Sequence, residues 1–170
     1  VQEAVKQIKA TDPQAIIMIS VNRSTAAFAK QYRAAGGGGQ LYNISVVDPA
    51  ELVKLAGLKA VHGLGISQVV AFPFAAGKPV VREYQSLMKK YGGGVPVSYT
   101  SFEEFLGAKV LVEGLRRAGP APTRAKLVKA LESMDNSDLG GTSVNYSPSN
   151  RIGSRFVEVT VIGTSGKLLR

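Results

Sequence analysis

The sequence predicts an α/β fold built on a Rossmann-like parallel sheet. Three short apolar runs rich in Val and Ile recur at residues 15–20, 41–47 and 63–72. The segments between them carry helical start and stop signals. Strand, helix, strand, helix, strand with short connections is the α/β alternation, and right-handed crossovers make such a sheet parallel.

Val1, Val5 and Ile8 share one helical face, so residues 1–12 read as a helix. Asp12-Pro13 ends it, because proline disfavours a helical residue before it. Ala15 to Ser20 is the first strand, and its β-branched content predicts burial on both faces. Asn22 or Ser24 is placed to cap a helix from Thr25 to Ala35, which Gly36–Gly39 stops. Leu41 to Val47 is the second strand. Asp48-Pro49-Ala50-Glu51 supplies a cap, a proline at the first helical position and an acid at the third. That helix runs to about Leu55 and ends near Gly57. Gly63 to Phe72 is the third strand.

Pro73 to Gly77 then breaks the alternation. Pro79 starts an amphipathic helix with Val80, Val81, Tyr84, Leu87, Met88 and Tyr91 on one stripe. Ser101-Phe102-Glu103-Glu104 reads as a capping box for a helix to about Arg117, ended by Ala118-Gly119-Pro120. Thr123 caps a third helix carrying Leu127, Val128 and Leu131. Asp138-Leu139-Gly140-Gly141 is a turn, Thr142 to Tyr146 a short strand and Ser147–Asn150 another turn. Phe156 to Ile162 alternates as a strand, and Gly163–Gly166 turns into a last one at Lys167–Leu169.

With 170 residues, the chain fits one domain or parts of two lobes. Hydrophobic residues are 45% and charged residues 19%, which excludes disordered and fibrous classes. A net charge of +9 raises nucleic acid or an anionic surface as partners. The 21 Lys and Arg are scattered over predicted helix faces and ends, however, which is the pattern of a solvated surface. Tyr84, Tyr91, Phe102 and Phe105 fall at helical core spacing instead of forming a stacking platform, so no nucleic-acid partner is expected. There is no cysteine, no apolar run long enough for a membrane span and no signal peptide within the sequence.

Catalytic signals are missing. His62 is the only histidine, and no Asp or Glu stands at ligand spacing to it, so no metal is expected. No G-x-S-x-G occurs. Gly36–Gly39 and Gly92–Gly94 match neither the P-loop nor the dinucleotide fingerprint and read as turns. Asp135, Ser137 and Asp138 lack the spacing of a calcium loop. No catalytic residue and no cofactor are therefore expected. What remains is the geometry of the sheet: ligands of open parallel sheets sit beyond the carboxyl ends of the strands. Those corners are Ser20-Val21-Asn22-Arg23-Ser24 and Ser45-Val46-Val47-Asp48. Their hydroxyls, amide and backbone N–H groups suit a carboxylate or zwitterion, or serve only as helix caps.

The order of segments resembles the type I periplasmic solute-binding proteins of the Leu/Ile/Val group, the carriers of ABC importers. The similar stretches are Ala27-Phe28-Ala29-Lys30-Gln31-Tyr32-Arg33-Ala34 with its glycines, Gln68-Val69-Val70 through Pro73, and residues 79–85. Ala108 through Gly119 and Gly153 through Gly163 complete the set. The resemblance implies two Rossmann-like three-layer lobes with the ligand between them. Residues 1–72 would form the ligand-binding core of the second lobe, 73–140 a helical crossover completing the first, and 141–170 the return. The chain would then be the C-terminal portion of the family fold, with the first-lobe core outside it. By the family's motif, ligand contacts fall at Asn22, with Val21 beside it, and at Ser45, next to Val46. This sequence has neither the aromatic nor the acid often found there, so an organic or aromatic acid fits at least as well as an amino acid. The resemblance further implies an extracytoplasmic location, a membrane permease as partner and no catalysis. Apolar stripes along residues 79–133 predict self-association, or packing on the chain's own sheet. The alternatives are a ligand-sensing regulatory domain of the same fold and a basic nucleic-acid-binding domain.

Overall fold

A computed structural model describes residues 1–170. In chain order the elements are α1 (Gln2–Ala10), β1 (Ala15–Met18), α2 (Asn22–Ala34), β2 (Gln40–Asn43), α3 (Pro49–Ala56), α4 (Leu58–Val61) and β3 (Gly65–Gln68). Then come α5 (Pro79–Tyr91), α6 (Tyr99–Ala118), α7 (Arg124–Glu132), β4 (Ser137–Asp138), β5 (Ser143–Val144), β6 (Glu158–Ile162) and β7 (Leu168–Leu169). They form two compact units, one of Val1–Gln68 with Val157–Arg170 and one of Val69–Phe156.

The first unit holds a five-stranded sheet in the order β1-β2-β3-β6-β7. β1, β2 and β3 pair in parallel, with Ile16 opposite Leu41 and Asn43 opposite Ile66. β6 runs antiparallel to β3, and β7 antiparallel to β6. The predicted parallel alternation is therefore the core of a mostly parallel sheet. Its strands are shorter than their apolar runs: β2 stops at Asn43, not Val47, and β3 covers only Gly65–Gln68 of the run 63–72. Pairing sets these ends: β2 stops where it last pairs with β1, Asn43 opposite Met18, and β3 spans the four residues that pair with β6.

The core lies between one sheet face and α1–α4. Ile16, Met18, Leu41, Ile66 and Ile162 meet Val5, Phe28, Tyr32, Leu52 and Val61 there. Burial of β1 on both faces is corrected: the strand alternates exposed and buried, and Ile17 is 78% exposed. Ile17, Tyr42 and Val159 all belong to the opposite, open face of the sheet. Tyr42 lies across Gly65, where a Cβ would sit 2.5 Å from the ring, so a larger residue there would have to push the ring aside.

The second unit is helical with a small hairpin of β4 and β5. Val80, Val81 and Tyr84 of α5 are buried, as are Phe102 and Leu106 of α6. The Tyr84 ring packs 5.0 Å from Phe102 and 5.5 Å from Phe105. The helical stretch thus packs on itself and on the hairpin, where Met134, Leu139 and Val144 gather with Val110, Leu131 and Tyr146. The expected start of α6 at Ser101 is corrected to Ser98, whose hydroxyl accepts from the Ser101 N–H at 3.1 Å. Thr123 caps α7 as expected, accepting from the Lys126 N–H.

Glu113 of α6 holds two arginines of its own helix. It pairs with Arg116 and, at 2.8 Å, with Arg117, which also donates to the Ser133 carbonyl and the Ser137 hydroxyl. The Arg117 and then the Arg116 hydrogen bonds hold its carboxyl below the ordinary value of 4.5. A depressed folded-state pKa contributes stability above that ordinary value, lost as pH falls through the folded one. The melting temperature is therefore expected to drop less below about pH 4.5 in Glu113→Gln than in the wild type. Parallel pH profiles for the two proteins by circular dichroism would contradict this.

Candidate functional site

The first unit presents two corners at the carboxyl ends of β1 and β2. After Met18 the chain passes Ile19, Ser20 and Val21 and enters α2 at Asn22. After Asn43 it turns through Ser45–Val47 and enters α3, which Asp48 caps by accepting from the Glu51 N–H at 2.9 Å. Proline at the first helical position makes this start as local as it looked in sequence.

Two asparagine amides stitch the corners. Asn43, 2% exposed, accepts from the Ser20 N–H at 3.3 Å and donates to the Ser20 carbonyl at 2.8 Å. Asn22 Oδ1 accepts from the Asp48 N–H at 2.8 Å. The Ser20 hydroxyl meets that of Thr25, a fully buried residue, at 2.6 Å. Adjacent parallel strands are thereby joined beyond their last ladder bonds, which preorganises both loops.

The expected cap of α2 by Asn22 or Ser24 is corrected. The capping position is Val21, which has no capping atom, and the helix starts three residues before the expected Thr25. Ser24 Oγ donates back to the Val21 carbonyl at 3.1 Å, and Asn22 reaches across to Asp48. The opening N–H groups of α2 thus lack a side-chain acceptor.

All four residues expected from the sequence lie on these corners. Val21 and Val46 project into solvent, while Asn22 and Ser45 are half-buried. Ser45 and Val46 stand in the turn after β2, not within the strand. Sequence reasoning missed Asn43, although a lone amide inside the run Leu41–Val47 was the available signal. No acidic residue occurs between Asp12 and Asp48, and Arg23 is exposed beside Asn22. Asp48, which caps α3 through Oδ1, is the one acid of the two corners. His62 is exposed at the end of α4, and no group of three or more potential ligating residues could hold a metal ion.

The second unit has a cavity of about 420 Å³ that contains none of the corner residues. Val69, Leu106, Val110, Val144 and Phe156 give it apolar walls, and Thr142 Oγ1 is buried there without a partner. Glu103 on its rim has its carboxyl raised by burial and then by the charge of Glu104. Phe72, Phe74 and Tyr99 pack edge to face, with centroids 5.1–6.2 Å apart. No helix is long and apolar enough to cross a membrane.

No curated protein sequence matches the chain. Among solved structures it is similar to a substrate-binding periplasmic protein from Ralstonia solanacearum, with 38% identity and a TM-score of 0.88 over 98% of this chain and 48% of that one. It is also similar to an extracellular ligand-binding receptor from Verminephrobacter eiseniae, with 29% identity and a TM-score of 0.85 over 99% of this chain and 48% of that one. A possible leucine/isoleucine/valine-binding protein from Rhodopirellula baltica gives 25% identity and a TM-score of 0.84 over 93% and 43%. The chain therefore spans about half the length of these structures. A family model described as periplasmic binding protein matches residues 1–166, and the chain belongs to that family.

Proposed function

We propose that the protein is an extracytoplasmic solute-binding component of an ABC importer, holding an amino acid or a small organic or aromatic acid without turnover. Val21, Asn22, Ser45 and Val46 form the binding corners on the first unit. In this reading the first unit is the core of the ligand-binding lobe, the stretch 73–140 completes the other lobe, and a membrane permease is the partner. The observation that carries it is the pair of stitched corners at the carboxyl ends of adjacent parallel strands, where such sheets receive ligands. The hydroxyls, the amide and the backbone N–H groups there suit a carboxylate or zwitterion, and the leucine/isoleucine/valine name of the Rhodopirellula structure supports the amino-acid end of the range.

The test is a thermal-shift titration with leucine, benzoate and phenylacetate. Ligand at a hundredfold excess over its dissociation constant is expected to stabilise the chain by about 2.7 kcal/mol, with saturation. No shift with any of the three would remove the reading. Light scattering on the same samples tests self-association. Exposed Leu111, Val112 and Leu115 on α6 and Val128 on α7 are expected to yield a mass above that of one chain. A clean monomer would contradict that part.

A further inference from the structure

The cavity of the second unit has a size that suits a ligand. Its volume of about 420 Å³ falls within the range of small-molecule pockets, about 300–1,000 Å³. Every lining residue belongs to Val69–Phe156, so the cavity is a feature of that unit alone. Two observations point to an occupant.

The first is Gly107. It stands inside the 20-residue α6, on the stripe Glu103, Leu106, Gly107 and Val110 that faces the cavity. Glycine inside a helix is unfavourable, because it gives the unfolded chain extra freedom and packs nothing. Gly114 of the same helix has a packing reason: a Cβ there would lie 2.8 Å from Leu131 and 3.1 Å from Leu127. Gly107 has none, since a Cβ there would meet no atom within 4 Å. What its missing side chain preserves is space. The second is Thr142, which lines the same cavity and whose Oγ1 is buried without a hydrogen-bond partner. Buried hydroxyls are ordinarily paired.

No sign of charge prevails around the cavity. Lys78 and Glu103 line it with opposite signs, Glu104 follows Glu103, and Arg155 stands in the chain between the lining residues Ser154 and Phe156. The Asp138 carboxylate lies outside the lining and accepts from the Gly140 and Gly141 N–H groups at 3.1 and 2.7 Å. An ion entering between apolar walls would lose water with no dominant counter-charge to replace it. We infer that this cavity is a second binding site, for a compact, uncharged, largely apolar molecule with one hydroxyl or carbonyl group, for which Gly107 leaves room and which Thr142 Oγ1 meets by a turn about χ1. The site is separate from the corners of the first unit, and neither depends on the other.

Benzyl alcohol is the probe, beside toluene, which lacks the hydroxyl, and benzoate and benzylamine, which carry charge. In NMR titrations of the full chain, benzyl alcohol is expected to move the Gly107 and Thr142 amide signals saturably and to leave those of Asn22 and Ser45 in place. Judged by the first two signals, it is expected to bind about fivefold more tightly than toluene, the worth of one net hydrogen bond, and more tightly than either ion. Thr142→Val keeps the shape and deletes the hydroxyl. Its melting temperature is expected to rise, and the advantage of benzyl alcohol over toluene to fall within about twofold while toluene still binds. Gly107→Leu fills the space and is expected to weaken both about tenfold or more with native circular dichroism. Still Gly107 and Thr142 signals in the wild type overturn the site. A retained advantage in Thr142→Val overturns the recognition, and undiminished binding in folded Gly107→Leu overturns the role of Gly107. Should that variant not fold, the Thr142→Val comparison decides. Failure of any ligand at Asn22 and Ser45 bears on the carrier reading and leaves this one standing.

Discussion

Replacing Tyr32 with alanine is expected to lower the stability of the first unit by about 3–5 kcal/mol, the range for removing a large aromatic side chain from a core. Tyr32 is fully buried and stacks on Phe28 with centroids 5.5 Å apart and planes 12° from parallel. Its hydroxyl accepts from the Gly39 N–H at 3.2 Å. The ring also rests on Gly37, where a Cβ would lie 2.3 Å from it. The glycine run that stops α2 is therefore the seat of the ring as well, so α2, the glycine turn and the start of β2 lose a shared anchor together. Tyr32→Phe keeps the ring but leaves the buried Gly39 N–H without its acceptor, so its cost is expected to be about 1–3 kcal/mol. Urea unfolding followed by far-ultraviolet circular dichroism checks both. Similar midpoints for Tyr32→Ala and Tyr32→Phe would show that the ring carries little of the packing.

Asn43→Leu should have the second largest effect, and it reaches the proposed site. Leucine matches the volume but leaves the Ser20 N–H and carbonyl without the amide that satisfies them. Ser20 is half-buried, so water replaces part of the loss, and a destabilisation of about 1–3 kcal/mol is expected. Because Asn43 holds the β1 corner to β2, affinity for a bound acid is expected to fall about tenfold, equivalent to about 1.4 kcal/mol. Asn43→Asp gives a sharper signature. At neutral pH its carboxylate faces the Ser20 carbonyl, whereas the protonated acid donates to it. The folded form then favours the proton, which raises the folded pKa. The recovered stability is full below the ordinary carboxylate value and disappears as pH rises through the folded one. Stability of Asn43→Asp that does not improve relative to wild type on acidification would argue against the amide's double role.

The signals that proved local were legible in the residues. Asp48-Pro49 with Glu51 starts α3, Thr123 starts α7, and Gly119 ends α6 in a left-handed conformation at φ 75°, each decided within a few residues of chain. The strand, helix, strand order was legible for the same reason, and with it the place of Val21, Asn22, Ser45 and Val46 at strand ends. Features set by a distant partner were not. Ser101 carries a good capping-box pattern, yet the helix starts at Ser98, whose N–H donates to the Tyr84 hydroxyl from α5, while that hydroxyl also meets Ser101. Asn22 looked like a cap and instead bonds to Asp48, 26 residues away.

By itself the sequence determined the α/β class and the helix boundaries that caps and glycines control. Only the tertiary structure decided where the strands stop, which sheet face is covered, and which way the Asn22 amide points. The physical reason is range. Caps and turns are satisfied by neighbours in the chain, whereas register, burial and amide orientation depend on atoms that folding alone brings together.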